Sequence, residues 1–249
     1  MAKLNGLIKI EGTLDDLTFY KTQDGHLVKT KSGVSGERIA KDPNFQRTRE
    51  NGAEFGSSAS AGKTLRTAVR NLMMNASDNR VTSRITQLMT QIKNFDTDSA
   101  RGERNVAVGM IDRNAKSLLK GFDFNNKATL GSVLFAPYTI NTETGVLSIA
   151  SFIPTNDIYY PPGATHLSMK SAFAVVDFEN GVSEIEYSPV QNITINGTDT
   201  PVSLTPAGTP SGTGTKIFLV LIEFFQEVNG VQYSLKNGSY NVLNIIDVA

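Results

Sequence analysis

The segment Gly56-Ser57-Ser58-Ala59-Ser60-Ala61-Gly62-Lys63-Thr64 ends in the Gly-Lys-Thr triplet that, in a phosphate-binding loop, gives a nucleotide a lysine and a hydroxyl. Such a loop keeps four residues between its first glycine and the triplet, so that consecutive N–H groups wrap the phosphates; here five intervene. The segment also continues a helical pattern instead of following a buried parallel strand, which favours packing of small residues over nucleotide binding. Acid–base chemistry needs carboxylates whose surroundings push their pKa values apart. The available pairs are Asp15-Asp16, Asp177 with Glu179, and Glu184 with Glu186. The last two share a strand face at i, i+2, as solvated faces often do. No G-x-S-x-G elbow is present to expose a nucleophile. Zero cysteines exclude disulfides, thiolate nucleophiles and Cys-type metal sites, and the two histidines, His26 and His166, stand far apart in sequence. No catalytic centre, metal site or cofactor is expected.

Binding residues are easier to find. Lys29, Lys31, Arg38, Lys41, Arg47 and Arg49 form a basic run beside Phe19, Tyr20 and Phe45, types that would contact phosphates and stack on bases. No named nucleic-acid motif accompanies them, and intervening acids dilute the run. Tyr159-Tyr160, ahead of Pro161-Pro162, is the one conspicuous aromatic pair for a carbohydrate or protein ligand in a chain without tryptophan.

The formal net charge of zero conceals a division. Residues 1–127 carry 21 Lys and Arg against 14 Asp and Glu, a net +7, and residues 128–249 carry 3 against 10, a net −7. Such asymmetry predicts contact between opposite faces, within a chain or head to tail between subunits.

The elements that must position these residues fall into the same two parts. Leu7 to Gly12, Leu17 to Lys21 and His26 to Thr30 read as strands, with Asp24-Gly25 as the turn signal of a hairpin. Lys31 to Lys41 reads as a mobile basic connector, which makes residues 1–41 an assembly arm. Asp42-Pro43 starts a helix, a carboxylate cap followed by a proline at the first position. Phe45, Gly52, Phe55, Ala59, Gly62, Leu65, Val69 and Leu72 then continue a stripe to about residue 75, with a break near 56–60 as the alternative. Gly52, Gly56, Ala59 and Gly62 on that stripe predict a closely approaching backbone. Val81, Ile85, Leu88, Ile92 and Phe95 mark a second helix, and residues 102–120 a third. Residues 42–127 are therefore expected to form a three-helix bundle.

After Lys127 the pattern turns to short strands near 133–140, 146–153, 165–177, 183–187, 190–196, 201–205, 216–227, 231–235 and 239–247, punctuated by four Asn-Gly pairs, one of them Asn237-Gly238. That implies an antiparallel β-sandwich over 128–249, in an α+β chain. Ile217 to Ile222, apolar on both faces, is its central strand, and Thr205 to Thr215 its most flexible loop. No apolar run approaches the roughly 20 residues of a membrane helix. The opening residues lack the apolar core of an export signal, so a cytoplasmic or virion location without membrane insertion is expected.

Phe19-Tyr20-Lys21-x-x-Asp24-Gly25, followed by Asp42-Pro43-x-Phe45-Gln46-Arg47-Thr48-Arg49-Glu50-Asn51, resembles a family of proteins from bacterial phage-like elements. That resemblance implies a short hairpin, a Pro-capped Gln/Arg-rich helix and an immunoglobulin-like C-terminal sandwich in a virion or tubule component. The expected function is thus a non-enzymatic, self-assembling structural subunit, a homo-oligomer or filament that also meets other structural proteins. Its contact candidates are Phe19, Tyr20, Phe45, Arg47, Arg49, Gly52, Phe55, Gly56, Ala59 and Gly62. The alternatives are a carbohydrate- or protein-binding sandwich using Tyr159 and Tyr160, and nucleic-acid binding through the basic half.

Overall fold

In the computed structural model, which describes residues 2, 3, 6, 9–30, 33–235 and 238–249, the chain divides into two compact units, Met1–Arg49 and Glu50–Ala249. Leu7, Ile8, Lys31 and Asn237, each part of an expectation above, lie outside the described residues.

The first unit holds β1 (Ala2–Lys3), β2 (Gly12–Leu14), β3 (Leu17–Thr22), β4 (Gly25–Thr30) and α1 (Gly36–Lys41). A three-stranded antiparallel meander, β2–β3–β4, replaces the simple hairpin, and β1 pairs with the outer edge of β4. The first strand of the meander begins at Gly12, where the expected strand was to end, because Asp15, at φ 48, makes a two-residue turn directly ahead of Leu17. Leu14, Leu17, Phe19 and Val28 share one sheet face by register. The expected connector contains a helix: the Ser35 side chain accepts from the Arg38 N–H, and α1 follows.

Asp42 caps a 3-10 turn at Pro43–Phe45 that leads into α2 (Gln46–Ala68) without a break at 56–60. The stripe ends in a kink at Val69 (φ −101, ψ 15) before α3 (Arg70–Met73). Next come α4 (Val81–Ile92), α5 (Val106–Gly109) and α6 (Arg113–Leu119). The single helix expected over 102–120 is two short ones, because Asn105 caps the first and Asp112 the second. Gly109 lies against the α4 end so closely that a Cβ would stand 2.3 Å from the Ile92 carbonyl oxygen. Only glycine permits that approach.

The rest of the chain forms α7 (Leu130–Val133), β5 (Thr139–Ile140), β6 (Leu147–Ile149), α8 (Pro154–Asp157), β7 (His166–Asp177), β8 (Val182–Tyr187), β9 (Gln191–Thr194), β10 (Val202–Leu204), β11 (Thr215–Val228), β12 (Val231–Ser234) and β13 (Val242–Val248). The long strands β7 and β11 pair antiparallel from Thr215↔Val176 to Phe225↔His166. β8 and β9 flank β7, β12 and β13 flank β11, and β5, β6 and β10 make a separate three-stranded sheet. The main sheet is strongly curled: Asn192 of β9 donates to Gln232 of β12 at 2.6 Å, although β7 and β11 run between them. In a flat sheet those strands would stand about 14 Å apart, three spacings of about 4.8 Å.

The helices are not a free-standing bundle. Leu65, Ile85, Met89, Ile92 and Leu119 share a core with Ala172, Ala174, Leu219, Leu221, Leu243 and Ile245 on one face of the main sheet. The opposite face, with Met169, Phe173, Phe218, Val220, Ile222 and Phe224, packs with the small sheet and α7 around Leu147, Ile149 and Phe152. A sandwich sheet leaves its outer face to water. Here that face is covered by helices, so an immunoglobulin-like pair of sheets is not what this order shows. The antiparallel C-terminal strands and the α+β class are as expected, and one core runs across Lys127. The two oppositely charged parts meet within the chain at the Lys120–Asp247 ion pair, 3.0 Å.

Candidate contact surfaces

Glycines and small side chains along α2 leave its first half weak as an isolated helix. Ions hold it instead. Glu54, buried, accepts from Arg104 Nε at 2.8 Å, from the Gly102 N–H at 2.9 Å and from Lys93 Nζ, itself buried. The Arg104 hydrogen bond is the largest influence on Glu54; with Lys93 and the Gly102 N–H it outweighs burial and lowers the carboxyl from 4.5 to about 2. Nearby Asp96, also buried, accepts from the N–H groups of Ser99 and Asn105, both at 2.9 Å. Burial alone would raise it, but these bonds bring it below the usual value. Every member of this network is bonded inside the chain, which makes it a clamp of the fold. Sequence reasoning missed it because its members are separated by 39 and 50 positions.

Two cations of the basic run meet carboxylates. Arg38 pairs with Asp42 at 3.2 Å and lies over the Phe45 ring, and Lys41 pairs with Glu37. Arg49 donates to the carbonyls of Ile39 and Asp42, and Lys29 lies over Tyr20. Arg47 is exposed, while Phe19, Tyr20 and Phe45 are half-buried.

The small-residue stripe divides. Gly62 packs inward, where an added Cβ would meet Ile85 at 3.1 Å, and Ala59 is half-buried. A Cβ on Gly52 or Gly56 would meet nothing within 4 Å, and Phe55 between them is 59% exposed. Phe55 borders a groove of about 550 Å³ against the outward face of α4. The Gly56–Thr64 segment lies wholly inside α2, so its N–H groups serve the helix and no phosphate cradle forms.

Of the tyrosine pair, Tyr160 packs against the second core, whereas Tyr159 is exposed and stacks on Tyr240 with ring centroids 5.3 Å apart. Tyr240, 81 positions on, carries no local signal of this role. His166 bonds Thr165 and Thr194 and faces Glu227 at 3.6 Å. No group of three or more His, Asp or Glu suited to a metal occurs among the described residues, and no helix there is long and apolar enough to cross a membrane. Comparison with models of known families, with curated proteins and with solved structures finds no match to this chain.

Proposed function

We propose that the chain is a non-enzymatic structural subunit that assembles with copies of itself, with Met1–Arg49 making subunit contacts. The observation that carries this reading is a sheet without a core. None of the described residues of that unit is buried, and Leu14 and Leu17, on the same face as Phe19 and Val28, are 62% and 43% exposed. A meander this small depends on covering one face, and a unit of this size cannot bury enough surface alone. A neighbouring subunit would supply the cover. The resemblance to phage-like elements adds the kind of assembly: a particle, tube or filament of bacterial or phage origin.

Sedimentation velocity and negative-stain microscopy at low salt test the reading. Species heavier than the 27.0 kDa chain are expected as concentration rises. The double substitution Leu14→Asp/Leu17→Asp, on side chains already exposed, is expected to weaken association at least tenfold. A clean monomer at every concentration, with no partner-dependent assembly, would sink the proposal.

A second reading rests on the Tyr159–Tyr240 stack, whose outer ring face is available to a sugar or peptide. Calorimetry with a panel of soluble oligosaccharides is its test. Tyr159→Ala should reduce any binding by roughly 2- to 13-fold, matching about 0.5–1.5 kcal/mol for an aromatic contact. Unchanged binding would count against this platform.

A further inference from the structure

Lys63 belongs to the Gly-Lys-Thr triplet that forms no phosphate cradle, yet the helix places it in a different cationic arrangement. Lys63, Arg66 and Arg70 stand at i, i+3 and i+7, along one side of α2 and its continuation into α3. They line a groove of about 370 Å³ that contains no carboxylate. None of the three forms an ion pair among the described residues, whereas Arg84, Lys93, Arg101, Arg104 and Lys120 all do. Like charges one turn apart repel, so the bare stripe costs stability that a counter-ion would restore. Arg66 carries the clearest sign of a missing partner: its Nη1 is buried without an acceptor. Burial alone depresses its guanidinium, with no carboxylate to offset it. With one side of the fork unsolvated, its charge must be balanced from the side that faces the groove.

We propose that this groove binds a small phosphate monoester, a site that stands whether or not the chain assembles. The lining supplies donors for such an oxyanion beyond the three cations. Thr67, Ser77 and Thr82 also line the groove, and their hydroxyls make no hydrogen bond among the described residues, so each can donate. A carboxylate ligand brings one charge and two oxygens, too few for three cations and three hydroxyls. A phosphate monoester brings a charge of about −1.5 to −2 at neutral pH and three strong acceptor oxygens. The rest of the ligand is expected to be apolar and flat, because Met73 and Met74 complete the lining and Met74 is 78% exposed. Thioethers adapt to irregular shapes and make favourable contacts with aromatic rings. The groove falls at the lower end of the roughly 300–1,000 Å³ of small-molecule sites. Its cations cover only about 10 Å of helix, against the continuous track of charge that a nucleic-acid backbone or a lipid surface presents.

Calorimetry with phenyl phosphate, inorganic phosphate and benzoate tests the site. Phenyl phosphate is expected to bind, inorganic phosphate at least threefold more weakly, and benzoate at least tenfold more weakly. Lys63→Gln/Arg70→Gln, on two exposed side chains, should weaken phenyl phosphate binding at least tenfold. Without ligand, the thermal midpoint of that variant should be no lower than the parent's, since two repelling charges are gone. No binding of either phosphate at millimolar concentration would overturn the proposal, as would binding that the Lys63/Arg70 variant retains. Benzoate binding as tightly as phenyl phosphate would overturn the assignment of a phosphate, and inorganic phosphate doing so would overturn the apolar part of the ligand. Binding confined to a short single-stranded oligonucleotide or to vesicles containing phosphatidylserine, and lost in the same variant, would replace the small-ligand site with a polyanion surface.

Discussion

Glu54→Ala is expected to lower the unfolding free energy of the chain by about 3–5 kcal/mol, the range for removing one partner of a buried ion pair. The loss comes mainly from what remains. Lys93, with a side chain only 9% exposed, would lose its counter-ion, and the Gly102 N–H would lose its acceptor. Urea midpoints at constant slope measure the effect. The same carboxylate sets a pH dependence whose sign follows from its position below the usual range. Because Glu54 titrates near 2 when folded and near 4.5 when unfolded, the unfolded chain binds the extra proton between those values. Its contribution is therefore complete above about pH 4.5 and is lost as the pH falls toward 2. Glu54→Gln should flatten that acid limb, and an unchanged limb would show that other carboxylates dominate it.

Phe218→Ala is expected to cost a similar amount, about 3–5 kcal/mol, by emptying a fully buried site against Phe173, 4.6 Å away between ring centroids. The form of the transition matters as much as its size. Phe218 faces the core under α7 and the small sheet, while its neighbour Leu219 faces the helices. Because β11 supplies both cores, helix and strand signals from Glu50–Ala249 should be lost together, at one midpoint lowered by the substitution. Separate transitions for helices and strands would contradict a shared core.

Much of this architecture was legible in the chain. The Asp-Gly and Asn-Gly turns, the Asp42-Pro43 start and the alternation after Lys127 located most strands to within a few residues. The run Ile217 to Ile222 was apolar on both faces, a pattern that belongs to a sheet covered on both sides. Taken as the middle of a sandwich, it hid the fact that the helices supply one of the covers. The break at Ile111-Asp112 was missed because apolar spacing continues through it and only the capping carboxylate interrupts the helix. At the candidate contact surfaces, Phe55 was visible from its stripe. The burial of Arg66 Nη1 was not, since a rotamer has no expression in residue type. Tyr240 and the Glu54 clamp depend on long-range packing and left no local spacing to read.

The curl of the main sheet has a consequence for how crowded copies of this chain avoid one another. Strand edges are the indiscriminate adhesive of β proteins. Around this sheet the outer strands are occupied in part. The backbone of Gly121 to Phe124 bonds along β13, the Ala207 N–H bonds Tyr187 at the end of β8, and the curl ties β9 to β12 through Asn192 and Gln232. Edge pairing with another chain is thereby blocked along β13, where the 121–124 backbone already takes the place of a further strand.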